Sequence, residues 1–193
     1  MTDYSTKVFI FDMDGTLVDN MHVHTKVWAK LLKENGIEMD EHKFLVATAG
    51  KTNREILPTV FGEISNERID ELAKRKESLY REAYLPHRKP VDGLDLRKYF
   101  DAVTTASDVK VGKPDPAMFL VSAEKLGVEP KNCIVFEDAF GGFEAAQRAG
   151  MVSIGIATVN SKEDILKSDS VVEAHDDFTN LKPADLVERY LPI

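Results

Sequence analysis

The sequence predicts an α/β protein, a parallel sheet wound with helices and interrupted after its first strand by a helical insertion. Three observations carry this. An apolar run, VFIF at residues 8–11, stops on two carboxylates, Asp12 and Asp14, followed at once by Gly15 and Thr16. Short apolar runs alternate with helical patterns through the second half of the chain. Residues 20–84 read as consecutive helices with no convincing strand.

The first run has the continuous hydrophobicity of a strand covered on both faces of a parallel sheet, and Asp12 then sits at its carboxyl end. Open α/β sheets bind their ligands at such ends. Two acids one residue apart repel each other unless a cation sits between them, and hard oxygen ligands suit Mg²⁺ better than a soft metal. A carboxylate in that setting can also attack phosphorus, because aspartyl phosphate is an established covalent intermediate.

Further strands are expected at 102–105, 133–136 and 152–156, with a weaker one at 171–173. The only cysteine, Cys133, falls inside one of these runs, so it reads as a small buried hydrophobe and no intrachain disulfide exists. In KVGKPDPAMF, residues 110–119, Asp115 is expected as a helix N-cap and Pro116 as the first helical residue. Lys113 then lies just before a positive helix end, a pairing that favours an anion such as phosphate. An ammonium there also keeps a neighbouring aspartate ionised. A second strand ends on carboxylates in IVFEDAFGGFEAAQRAG, where Glu137 and Asp138 precede a Gly141–Gly142 turn into a helix. Two strand ends bearing acids make a metal site.

The helical insertion carries anomalies. Ile69, Leu72, Ala73, Leu79, Tyr80 and Ala83 share one helix face, and Lys76 lies in the middle of it. A lysine there must snorkel or meet an anion. Met21, Val27, Trp28 and Leu31 define a second apolar face that contains His24. Thr52 or Asn53 caps a helix with Arg54 in its first turn.

With 193 residues, 43% hydrophobic and 30% charged, the chain has a globular composition, and its net charge of -8 disfavours a nucleic-acid groove. Nothing approaches the roughly 18 uninterrupted apolar residues of a membrane span, and no basic region followed by an apolar one opens the chain. A cytoplasmic protein is expected.

The three acid- and lysine-bearing segments resemble motifs I, III and IV of the haloacid dehalogenase-like superfamily, in their proper order. They are most similar to the helical-cap subfamily of β-phosphoglucomutases and small sugar-phosphate phosphatases. The resemblance implies a Rossmann-like core at 1–19 and 89–193 with a cap at 20–88. It implies Asp12 as nucleophile, Asp14 as general acid/base and Lys113 as partner of phosphate and nucleophile. Mg²⁺ would be held by Asp12, Asp138 and the backbone carbonyl of Asp14, with Glu137 beside them. In the cap, His24 matches a histidine that interacts with the acid/base aspartate, Lys76 a substrate lysine, and Arg54 the arginine that holds the non-transferring phosphate. Gly50 joins this substrate-binding set. The intact Asp14 suits phosphoryl transfer, since a leaving oxygen needs a proton and a halide does not. The expected substrate is a small phosphorylated sugar, and the family leads one to expect a monomer.

One segment departs from the family. Where relatives have a helix, a strand ending in Ser or Thr and a second helix, Gly93 here runs directly into Leu94. Roughly 30 residues, the size of one βαβ unit, are absent, and with them motif II and its phosphate-binding hydroxyl. The core is therefore expected to lack the strand beside 8–11. Three outcomes are open: residues 102–105 close the gap, another subunit lends a strand, or the protein is poorly soluble; Thr104, Thr105 and Ser107 offer hydroxyls nearby in sequence. Three functions follow: a β-phosphoglucomutase-like transferase first, a sugar-phosphate phosphatase second, and a catalytically impaired binding protein third.

Overall fold

The computed structural model describes residues 7–48, 51–84 and 95–191. Gly50 and the Gly93–Leu94 junction lie outside them. Four parallel strands form one sheet in the order β1 (Val8–Phe11), β2 (Cys133–Glu137), β3 (Val152–Ile156) and β4 (Val171–His175). Their alternation sorts the core into two layers. Ile10, Cys133 and Val135 pack with Phe119 and Ala123 of α5 (Ala117–Leu126) and with Ala145 and Ala146 of α6 (Phe140–Arg148). Ile134, Phe136, Ile154 and Ile156 face the other way, onto Leu186 and Val187 of α8 (Pro183–Tyr190). The short α7 (Lys162–Ile165) closes the β3–β4 end of the α6 layer, where Gly155 leaves room for Ile165.

Four helices fill the span between β1 and the rest of the sheet: α1 (Met21–Glu34), α2 (Glu41–Thr48), α3 (Asn53–Phe61) and α4 (Asn66–Tyr84). They share an apolar cluster of their own, built around Val27, Trp28, Leu31, Leu57, Leu72 and Leu79. Thr52 caps α3, and the Glu55 carboxylate accepts from its backbone N–H at 2.7 Å and its hydroxyl at 2.6 Å.

Three details correct the sequence reading. Residues 102–105 form no strand. Their polar groups are consumed locally: Thr104 Oγ1 accepts from Ser122, Val103 O from Lys125 Nζ, and the Thr105 N–H and hydroxyl donate to Asp108. Hydroxyl side chains that bond nearby compete with a ladder. The second correction is small: Pro116 is the N-cap of α5, and Asp115 Oδ1 accepts from the Ala117 N–H at 2.9 Å from just outside it. Third, β4 runs on to His175. The missing strand has its counterpart in the sheet, where β1 pairs with β2 alone among the described residues and Val8, Phe9 and Phe11 are half-buried, whereas every residue of β2 is buried.

Candidate active site

The parallel pairing of β1 with β2 brings Asp12 beside Glu137 and Asp138, because the ladder continues one step past β1 through the Asp12 N–H to Phe136 O at 3.0 Å. One oxygen from each of the three carboxylates lies within 4.8 Å of the others, a cluster able to hold a metal ion. Lys113 Nζ donates to Asp12 Oδ1 and to Glu137 Oε2, both at 2.6 Å, and lies 5.0 Å from the Phe119 ring centre. Close packing makes room for the acids. A Cβ at Gly142 would stand 2.0 Å from Glu137 Cδ, and one at Gly15, whose φ is +84°, would stand 2.3 Å from Asp138 Oδ2.

Burial sets the electrostatics. It would push the Lys113 ammonium down, but the charges of Asp12 and Glu137 outweigh it and hold the lysine above its ordinary range. Glu137, 1% exposed, is driven well above the usual carboxylate range by burial and by Asp12, against the pull of Lys113. Asp138 is pushed up to about 7 by burial and then by Asp12. When all three acids are ionised, the half-buried Asp12 and the buried Glu137 and Asp138 share one lysine, and the cluster has a deficit of positive charge.

Asp14, two residues from Asp12, has a different environment. Its carboxylate is turned to the cap, where Asn20 Nδ2 donates to Oδ1 at 2.6 Å and His24 Nε2 stands 3.4 Å from Oδ2. Lys76 Nζ lies 3.1 Å from His24 Nδ1. An ammonium only donates, so Nδ1 accepts and the ring carries its hydrogen on Nε2, facing Asp14. Burial pushes Asp14 up, yet the His24 and Asn20 side chains and the Lys76 charge more than offset it, and its carboxyl stays below the ordinary value.

Lys76, 4% exposed, does not snorkel. It meets Glu77 Oε1 at 3.0 Å and lies over the Tyr80 and Trp28 rings, and Glu77 in turn accepts from Asn53 at 2.8 Å. Arg54 stands apart: its side chain is 57% exposed and ion-paired with Asp70 on the helical surface. The Thr104, Thr105 and Ser107 hydroxyls are engaged with one another or with Ser122 and Asp108.

Several residues escape sequence reasoning. Asn20, 2% exposed, precedes α1 and has the type of a cap residue, but its amide makes no cap bond and instead joins Asp14 to the Tyr80 hydroxyl at 2.9 Å. Thr158 and Asn160 follow the end of β3; Thr158 donates to Gly15 O at 2.7 Å and Asn160 to Asp138 O at 3.1 Å. Their position after a strand end was the available signal.

A sequence profile for haloacid dehalogenase-like hydrolases matches residues 6–88 and 83–150. The chain belongs to this family. The haloacid dehalogenase-like fold is matched by a β-phosphoglucomutase structure from Clostridium difficile, with a TM-score of 0.78 and 26% identity over 95% of this chain and 96% of the other. The fructose-1-phosphate phosphatase of Escherichia coli is 32% identical, covering 76% of this chain and 94% of that protein. The β-phosphoglucomutase of Bacillus subtilis is 27% identical over 90% and 92%. This haloacid dehalogenase-like protein is an enzyme of the phosphatase or phosphomutase kind. Its alignment with the E. coli phosphatase runs over 179 residues while using only 76% of the 193 here, so the relative has residues without counterparts in this chain. Among the described residues no helix is long and apolar enough to cross a membrane.

Proposed function

We propose that this enzyme transfers the phosphoryl group of a small sugar phosphate to Asp12 and then to water, with Asp14 as acid and base and Mg²⁺ held by Asp12, Glu137 and Asp138. The observation that carries this is the division of labour between two neighbouring carboxylates. Asp12 shares Lys113 with the metal-ligand cluster, while Asp14 is held by His24 and Asn20 at the cap. Two acids in contrasting environments are suited to nucleophile and proton carrier.

The all-oxygen donor set and the unneutralised charge of Asp12 with the buried Glu137 and Asp138 fit a hard divalent cation. Bound there, Mg²⁺ would screen Asp12 from the anionic phosphoryl group. The chain's own groups supply the rest. A carboxylate oxygen of Asp12 forms the bond to phosphorus as the bond from phosphorus to the sugar oxygen breaks; Asp14, ionised at rest, takes up a proton from solvent as the anionic substrate arrives beside it and gives that proton to the departing oxygen. In the second half-reaction ionised Asp14 takes a proton from water as its oxygen attacks the aspartyl phosphate, freeing phosphate and restoring Asp12. Lys113 compensates the charge on Asp12 throughout.

Hydrolysis is favoured over isomerisation because Arg54, the side chain expected to clamp a second phosphate, is engaged with Asp70 at the surface. A mutase is the second reading. Its support is Lys76, a buried cation on His24 in the cap. Phosphorus NMR of the protein with Mg²⁺, β-glucose 1-phosphate and a trace of glucose 1,6-bisphosphate separates them. Inorganic phosphate, absent with Asp12→Ala, is the expected product. Glucose 6-phosphate would establish the mutase instead, and unchanged substrate, tested also with fructose 1-phosphate, would count against catalysis on these sugars.

A further inference from the structure

The two edges of the sheet are built differently. β4 ends the sheet as edge strands usually do, with charge: Glu173 accepts from His175 Nε2 at 2.7 Å and is paired with Arg189 and Tyr190. β1, at the other edge, is VFIF. Since the Asp12 N–H bonds to β2, the alternation of the strand turns the backbone groups of Val8 and Ile10 toward β2 and those of Phe9 and Phe11 outward. Neither Phe9 nor Phe11 has an outward backbone partner among the described residues. The Phe100 ring packs edge-on to Phe11 at 6.0 Å, and beside it Tyr99 is 73% exposed and Val103 is also exposed. An interior-type strand thus borders an open strip with apolar flanks.

We propose that this edge pairs with the same edge of a second copy, β1 running antiparallel to β1 about a two-fold axis at Ile10. In that register Phe9 of each copy faces Phe11 of the other, and the outward N–H and C=O groups of both residues satisfy one another in two reciprocal pairs. Cross-strand aromatic pairs stabilise such a ladder.

Among the described residues no segment supplies the missing neighbour. The charged β4 edge disfavours head-to-tail growth through β1 on β4, so the assembly closes at two.

Sedimentation of the intact protein from micromolar concentration upward, together with amide hydrogen exchange at Phe9 and Phe11, tests this. The expected result is a species of twice the monomer mass, with both amides increasingly protected as concentration rises. Tyr99→Glu, a change at an exposed side chain outside the active site, should weaken the association about tenfold or more while leaving the circular dichroism spectrum unaltered. A monomer at all concentrations would overturn the proposal, whether the amides exchange freely or are protected by the chain's own residues. So would a dimer in which both amides exchange freely, or one indifferent to Tyr99→Glu.

Discussion

Lys113 joins Asp12, the proposed nucleophile, to Glu137 of the acid cluster, and its removal exposes how that cluster is balanced. In Lys113→Met, the buried Glu137 and the half-buried Asp12 lose their shared cation. Breaking a buried ion pair from one side costs about 3 kcal/mol, or a fall in Tm of roughly 6–12 °C for a chain of this size. Turnover should fall by about two to three powers of ten, as it does when a preorganised charge is lost from a reaction site. Unaltered melting and turnover would mean that Asp12 and Glu137 need no cation between them. Asp12, Lys113, Glu137 and Asp138 were legible because each lies at a strand end or just before a helix, where position alone implies chemistry. Asn20, Thr158 and Asn160 were not, because their partners Tyr80, Gly15 and Asp138 are distant in sequence and only the assembled fold unites them. Arg54 shows the opposite limit: its place in the first turn of α3 followed from the cap residue, but its pairing with Asp70 depends on a side-chain conformation that no spacing encodes.

At the scale of elements, the approach of α6 to β2 decides whether the acids fit. Gly142 lies in the first turn of α6, and a methyl there meets the Glu137 carboxyl carbon at 2.0 Å while Lys113 holds that carboxylate from the other side. Gly142→Ala gains about 1 kcal/mol of helix propensity yet should destabilise the protein by a net ~1–2 kcal/mol, because overpacking a filled interior costs up to about 3. Denaturant unfolding would measure this, and a stabilised variant would mean that Glu137 has room to move. The strands around this junction were readable from their uninterrupted apolar runs, and α1 and α4 from their helical periodicity. Residues 102–105 were misread for a physical reason. Ala-Val-Thr-Thr has the composition of a strand, but the threonine hydroxyls find nearer partners in Ser122 and Asp108, and the segment coils against α5.

For the molecule as a whole, the acids at the junction tie stability to pH and to metal. Asp138 titrates at about 7 in the fold, raised from an ordinary value of 3.8, first by burial and then by the charge of Asp12. A carboxyl raised on folding favours the folded state in its protonated form. Its contribution is fully present below the unfolded value and is lost as pH rises toward and through the folded one. Glu137, raised by the same causes, acts in the same direction. Metal-free protein should therefore lose stability progressively from about pH 4 to about pH 7, the last part of it above about pH 6, as Asp138 ionises and the acids come to share one lysine. Mg²⁺ binds the ionised cluster and competes with protons for it, so it should raise Tm more at about pH 8 than at about pH 6. Thermal melts after chelation, with and without added Mg²⁺ at the two pH values, measure both effects. Equal Mg²⁺ shifts at the two pH values would mean that the acids are already ionised at the lower one, and that the charge deficit inferred from their burial is made good by groups other than Lys113.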